Sequence, residues 1–247
     1  MSKNYLSIYA KSFSWASFFL PKKIYKKCST LYDFCRSLDN IADQDLDLNT
    51  KIKQFNKFKD KFLNENTDDE IITRMKKLIN DYNISKKIVY DLFDGVEYDL
   101  KKEVKINSKK ELLIYSYRVA GTVGLMMAKI LSVKRKVSLK SAIDLGIAMQ
   151  LTNISRDVIE DSKKNRKYIE YNFESIRNTL ITADTFYQSS FSSISDIPIR
   201  CRFAIIVAKR VYRQIGNNIL RKKNIENYNK SGKIYVSNLG KFFQTIL

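Results

Sequence analysis

The chain has 247 residues, 44% of them hydrophobic, enough to bury a sizeable core within one large domain. It contains no His, which excludes Ser-His triads, Cys-His pairs and His-ligated metals, so any metal must be held by oxygen. A formal net charge of +19 raises nucleic acid, an anionic membrane surface or a phosphorylated substrate as partners, but the excess is largely Lys in a chain crowded with Ile, Asn, Ser and Tyr, a bias that an AT-rich coding sequence produces by itself.

Only 7 Gly and 2 Pro punctuate the sequence, and apolar residues recur every three or four positions, so the fold class is all-α, one helical domain over residues 1–247. The first apolar run, Trp15 to Leu20, is too short to span a membrane and lacks the flanks of a signal peptide. No later window reaches the length of a span, so the chain is read as cytoplasmic and at most peripheral on a membrane. Helices are predicted over 22–43, 50–64, 69–81, 84–104, 109–131, 136–163, 170–191, 198–224 and 232–246, with Pro21 and Pro198 suited to first turns. "NENTDDE", "SVKRKVS" and "SSFSSISDIP" are connectors between them, too short to link separate domains. Cys28, Cys35 and Cys201 have no zinc or redox spacing and read as reduced core thiols. No nucleic-acid-binding motif occurs, so no nucleic acid is expected as a partner, and oligomeric state is not legible.

In the helix over 143–161, Ile143, Ile147, Leu151, Ile154 and Val158 form an apolar stripe when each residue is turned by about 100°. Gly146, Gln150, Asn153, Asp157 and Asp161 form a second column beside it, while Arg156 and Glu160 fall near the opposite, solvent-facing side. "YDFCRSLDNIAD", residues 32–43, repeats the arrangement: Tyr32, Arg36, Asp39 and Asp43 make a polar column beside Leu31, Cys35, Leu38 and Ala42. One Asp-x-x-x-Asp pair is adequately explained as a partner for Lys or Arg. Two pairs, each bordering an apolar stripe and one followed by Lys163, Lys164, Arg166 and Lys167, suit a hard cation such as Mg²⁺ bridging carboxylates to phosphate, with Arg36, Arg166 or Lys167 holding the remaining oxygens.

These segments resemble the squalene and phytoene synthases, which join two isoprenoid diphosphates head to head. "YDFCRSLDNIAD" is similar to that family's first aspartate-rich helix and "QLTNISRDVIEDSKKNRKYI", residues 150–169, to its second. "YRVAGTVG" (117–124), "AKSFSWASFFLP" (10–21) and "AKRVYRQI" (208–215) follow the family's order along the chain. The resemblance implies an isoprenoid-synthase-type bundle with a central apolar cavity. It implies metal binding by Asp39, Asp43, Asn153, Asp157 and Asp161, with Mg²⁺ as cofactor and Mn²⁺ as a substitute. Diphosphate or polar-pocket contacts would come from Ser12, Tyr32, Arg36, Gln150, Arg166 and Tyr212, and Phe13, Val119, Ala120, Gly121 and Gly124 would line the channel for the isoprenoid tails. Each Gly also reads as a point of close helix packing. Asn40 and Ala10 depart from the pattern, at positions often Asp and Ser.

The activity implied is that of a phytoene synthase: two geranylgeranyl diphosphates condense through a cyclopropyl diphosphate, and loss of a proton makes NADPH unnecessary. Farnesyl diphosphate as substrate, giving squalene, presqualene diphosphate or dehydrosqualene, is the alternative within the enzyme class. A catalytically inactive relative acting as an assembly protein is the alternative outside it, disfavoured because all four Asp positions are kept.

Overall fold

The structure, a computed structural model, describes residues 15–64 and 67–246. Ser12 and Phe13 lie outside them. The described residues are helical almost throughout, as the periodicity predicts: α1 (Lys22–Asp43), α2 (Leu48–Leu63), α3 (Glu70–Asp81), α4 (Lys86–Tyr98), α5 (Lys109–Ser116), α6 (Thr122–Ile130), α7 (Lys136–Lys163), α8 (Phe173–Ser189), α9 (Ile199–Leu220), α10 (Ile225–Lys230) and α11 (Asn238–Ile246). None of them is long and apolar enough to cross a membrane. Pro21 and Pro198 stand at the N-caps of α1 and α9, where a missing N–H leaves no helical bond unmade.

Three departures from the predicted elements shape the site. The helix expected to run to residue 104 ends at Tyr98, and Val104–Lys105 instead forms a short strand, β1, paired in parallel with β2, Arg166–Lys167. Residues 117–121, inside the predicted helix 109–131, are wound as a π-helix between α5 and α6, a bulge common at functional sites. The segment between α9 and α11 holds the separate helix α10, where Asn224 caps by accepting from the Asn227 N–H at 2.8 Å.

The apolar stripes read from the sequence are the faces that pack. Leu31, Phe34 and Leu38 of α1 are fully buried, and the Phe34 ring meets Phe58 and Phe62 of α2 and Phe93 of α4 at 5.5–6.1 Å between centroids. Each such buried side chain contributes about 1.5–3 kcal/mol by leaving water. Ile147, Leu151, Ile154 and Val158 of α7 anchor a second cluster against α8 and α9. Helix α6 packs on both α1 and α7 and so fixes the two aspartate-bearing helices relative to each other.

Glycines allow that closeness. A Cβ on Gly146 would lie 2.3 Å from the Ala120 carbonyl oxygen of the π-turn, and one on Gly124 would lie 2.2 Å from the Ala142 oxygen of α7. The Cβ directions of Gly121 and Gly124 are taken up by helix contact with α7, so their smallness serves packing at these points. Gly146→Ala gains about 1 kcal/mol of helix propensity but forces apart backbone that has no rotamer to yield. A net loss of about 1–2 kcal/mol is expected in thermal unfolding; an unchanged melting temperature would show that α7 and the π-turn separate freely.

Candidate active site

Both aspartate pairs sit in the last turns of their helices, Asp39 and Asp43 at the end of α1, Asp157 and Asp161 at the end of α7. Anions there oppose the helix macrodipole, which favours cations at a C-terminus. The arrangement breaks a local rule and must be balanced by cations from elsewhere.

The cations come from the turn after α7. Asn165 adopts φ +55°, a left-handed conformation Asn tolerates, and redirects the chain into β2. Alternation along the strand then turns Arg166 and Tyr168 inward and Lys167 outward, where it pairs with Glu170 at 2.8 Å. Of the bases expected to meet phosphate, Lys167 is therefore on the wrong face. Arg166, 9% exposed, donates Nη1 to Asp43 Oδ1 at 2.8 Å and Nη2 to the carbonyls of Ala42 at 3.1 Å and Asp99 at 3.4 Å. Lys164 Nζ donates to the same Asp43 oxygen at 3.0 Å. Burial alone would raise the Asp43 carboxyl, but the hydrogen bonds from Lys164 and Arg166 outweigh it and hold it below its ordinary value.

Asp39 and Asp161 lack such partners. Asp39 reaches solvent yet lies deep among protein atoms, and desolvation, only partly offset by Arg36, with repulsion from Asp43 and Asp99, lifts its carboxyl to about 7. Desolvation and the neighbouring Asp157 carry Asp161 to about 7 as well. The polar column of α7 continues inward: Asn153 donates to Gln150 Oε1 at 3.4 Å, while its own Oδ1 is buried with no hydrogen-bond partner. An orphaned amide oxygen and two carboxyls kept short of positive charge are the donor set a hard cation would satisfy. Among the described residues no three carboxylates close on one point, and Mg²⁺ commonly binds one or two carboxylates together with water and phosphate.

The sequence model of the squalene/phytoene synthase family matches residues 6–169, both aspartate-rich helices included. The chain belongs to that family. The 15-cis-phytoene synthase of Pantoea ananas is 27% identical over 85% of this chain and 79% of its own length, and the 4,4'-diapophytoene synthase of Staphylococcus haemolyticus is 33% identical over 65% and 58%. A crystal structure of a dehydrosqualene synthase in complex with ligand superposes with a TM-score of 0.82 at 27% identity, covering 98% of this chain and 91% of that one. The chain spans about half the length of the first curated phytoene synthases it matches, 44% and 50%.

This squalene/phytoene synthase family member also holds residues in the site that sequence reasoning missed or misplaced. Asp99, just past α4, accepts from Tyr168 at 2.6 Å and Tyr115 at 2.8 Å, and the two rings stack 4.7 Å apart. Burial raises the Asp99 carboxyl to about 6, despite Arg166 and both hydroxyls. The predicted helix through residue 104 concealed it. Arg156, assigned to the solvent side of α7, is largely buried and forks onto Asp157, with Nε 2.8 Å from Oδ1 and Nη2 2.5 Å from Oδ2. That side of α7 is covered by the returning C-terminal segment: Tyr228 donates to the carbonyls of Ser155 and Arg156, and Lys233 pairs with Glu160 and with Asp157 at 3.3 Å. Tyr212 of α9 is buried within electrostatic reach of Arg156, Asp157 and Tyr32. Burial lifts the Tyr32 hydroxyl to about 12, so it stays protonated and able to donate. Val119 and Ala120 are half-buried on the π-turn, and a Cβ on Gly95 of α4 would meet Val119 at 2.8 Å.

Proposed function

We propose that the protein is a Mg²⁺-dependent prenyltransferase of the phytoene synthase type, joining two geranylgeranyl diphosphates head to head. The observation that carries this reading is the meeting of two helix C-termini rich in Asp around Arg166, with an unpartnered Asn153 oxygen beside them. Asp39, Asp43, Asn153, Asp157 and Asp161 would hold Mg²⁺, which when bound supplies charge neutralisation for a departing diphosphate.

The protein's own groups perform the rest. Arg166 and Lys164, which pair with Asp43, are cations that diphosphate oxygens can share, and Arg156 and Lys233 stand in the same relation to Asp157. One diphosphate leaves, its allylic cation is captured by the double bond of the second molecule, and loss of a proton from the resulting cation closes the ring of a cyclopropyl diphosphate. A second loss of diphosphate and a rearrangement move the cation into the linear chain, and loss of a proton closes the central triene. No hydride is consumed, so no nicotinamide is required. The apolar faces of α6, α7 and the π-turn exclude water that would otherwise quench the cations.

Farnesyl diphosphate, giving a C30 product, is the second reading, favoured by likeness to a dehydrosqualene synthase along nearly the whole chain. The test is incubation of purified protein with geranylgeranyl or farnesyl diphosphate and Mg²⁺, with and without NADPH and with a chelator control, followed by mass spectrometry of the organic extract. A C40 triene formed without NADPH and lost on chelation is expected. A C30 product alone moves the assignment to farnesyl diphosphate; no product from either substrate rejects both readings.

A further inference from the structure

The pairing of Arg156 with Asp157 is not one that a helix makes by default. Neighbours in a helix point about 100° apart and do not face each other, whereas residues four apart do, so the local partner of Arg156 is Glu160. Glu160 is instead taken by Lys233, and the Arg156 guanidinium is bent back so that Nε and Nη2 cover the two carboxylate oxygens of Asp157. Lys233 adds a second cation to Asp157 Oδ1 at 3.3 Å. On α1 the comparable cations of Asp43, Lys164 and Arg166, both fall on Oδ1. A cation that binds Asp157 must therefore displace an internal one, and one that binds Asp43 through Oδ2 need not.

Residues 224–236 impose that exchange of partners. Tyr228, within α10, is 2% exposed and donates its hydroxyl to the carbonyls of Ser155 at 3.1 Å and of Arg156 itself at 2.7 Å. Tyr171, beyond β2, donates to Asn229 at 2.7 Å and ties the same short helix to a second segment. Gly232 then takes φ +59°, a left-handed conformation that Gly adopts without strain, and turns the chain into Lys233. The Arg156 guanidinium carbon lies 5.8 Å from the centroid of the Tyr235 ring, within cation–π range. One segment thus meets the carbonyl of Arg156, its guanidinium and its usual partner Glu160, and leaves the Arg156 side chain only 13% exposed.

We propose that Tyr228 is a positioning residue: through the Arg156 carbonyl and the segment it anchors, it holds Arg156 and Lys233 on Asp157 as a latch, so that the α7 aspartates accept a divalent cation only as a diphosphate takes the two internal cations in exchange. A diphosphate offers the guanidinium what the carboxylate offers, paired oxygens for a planar fork, and carries more negative charge. The inference rests on the reading of Asp157 as a metal ligand and does not depend on which isoprenoid the active site takes.

The test uses the full chain with Mn²⁺ alone as the probe, the free ion being followed by its paramagnetic resonance signal. Tyr228→Phe keeps the buried ring and removes the hydroxyl; it is expected to bind Mn²⁺ about five-fold more tightly than the parent, a gain that adding Asp157→Asn to the same chain cancels. Loss of packing alone would weaken binding or leave it unchanged. Arg156→Gln should tighten binding by about ten-fold or more and serves if Tyr228→Phe misfolds. In thermal unfolding, Mg²⁺ and inorganic diphosphate together should raise the parent's melting temperature by more than the sum of each alone, and Tyr228→Phe should shrink that excess. Mn²⁺ binding no tighter in either variant, with the diphosphate effect still lost in Asp157→Asn, overturns the latch while Asp157 remains a metal ligand. A gain in Arg156→Gln but none in Tyr228→Phe leaves the fork to α7 itself and overturns the role of Tyr228. If Asp157→Asn changes neither the Mn²⁺ titration nor the diphosphate effect, the metal reading of Asp157 fails and the latch with it.

Discussion

Asp39→Asn is expected to abolish turnover, by about a hundred-fold or more, while making the ligand-free protein more stable at neutral pH. The carboxylate is desolvated, set at a helix C-terminus and repelled by Asp43 and Asp99, so its charge opposes folding until a cation is bound. Because its folded value of about 7 lies above the ordinary 3.8, the folded state holds the proton longer. Its contribution to stability is fully present below about pH 4 and is lost as pH rises toward 7. The amide cannot ionise, so melting temperatures followed from pH 4 to 8 should fall less in the variant, with the gap widest at the alkaline end. A variant less stable than the parent at pH 8, or one that still turns over, would remove Asp39 from the role assigned to it. Asp157→Asn should behave differently, because that carboxylate is held by the Arg156 fork and by Lys233 and its loss strands two cations. The pair spacing is the same on both helices, but the energetic consequence is opposite.

That contrast marks what the sequence could show. Helical periodicity located α1 and α7 and placed their apolar stripes in the core, because burial of Leu31, Leu38, Leu151 and Ile154 depends on spacing within one helix. The aspartate columns were legible for the same reason. What was not legible depends on residues distant in the chain. Arg156 lies on the side of α7 that an isolated amphipathic helix would give to water, and only the passage of residues 228–233 across it makes that side interior. Lys167 and Arg166 are neighbours of equal charge, and only the β1–β2 pairing decides which of them faces in. Asp99 joined the site because a predicted helix stopped six residues early to supply that strand. The glycines of "YRVAGTVG" read equally as channel or contact, and the contact is visible only in the 2.2 Å and 2.3 Å approaches that a Cβ on Gly124 or on its neighbour Gly146 would make to Ala142 and Ala120.

Arg166→Ala is expected to destabilise the protein by about 3 kcal/mol, the lower end of the loss for breaking a buried pair, since Asp43 keeps partial contact with solvent. No other side chain among the described residues bonds to Asp43 and to the carbonyls of both Ala42 and Asp99, and its charge also acts on Asp39, Asp99 and Asp161. Without it the four carboxylates keep Lys164 and Arg36 as cations that act on them. Arg166→Lys keeps the charge but not the planar fork that spans carboxylate and carbonyls, and should recover part of the stability. The pH dependence separates charge from packing. In the parent, Asp43 lies below its ordinary value, so its contribution is present at neutral pH and fades as the pH falls toward its folded pKa. In the alanine variant Asp43 loses a cation that lowers it, and Asp39, Asp99 and Asp161, already raised, rise further, so acid relieves their repulsion. The difference in melting temperature between parent and variant should therefore shrink steadily from pH 8 to pH 4. A difference that stays constant over that range would mean that Arg166 holds the end of α1 through the packing of its side chain, and the electrostatic balance at the two helix ends would have to come from other cations.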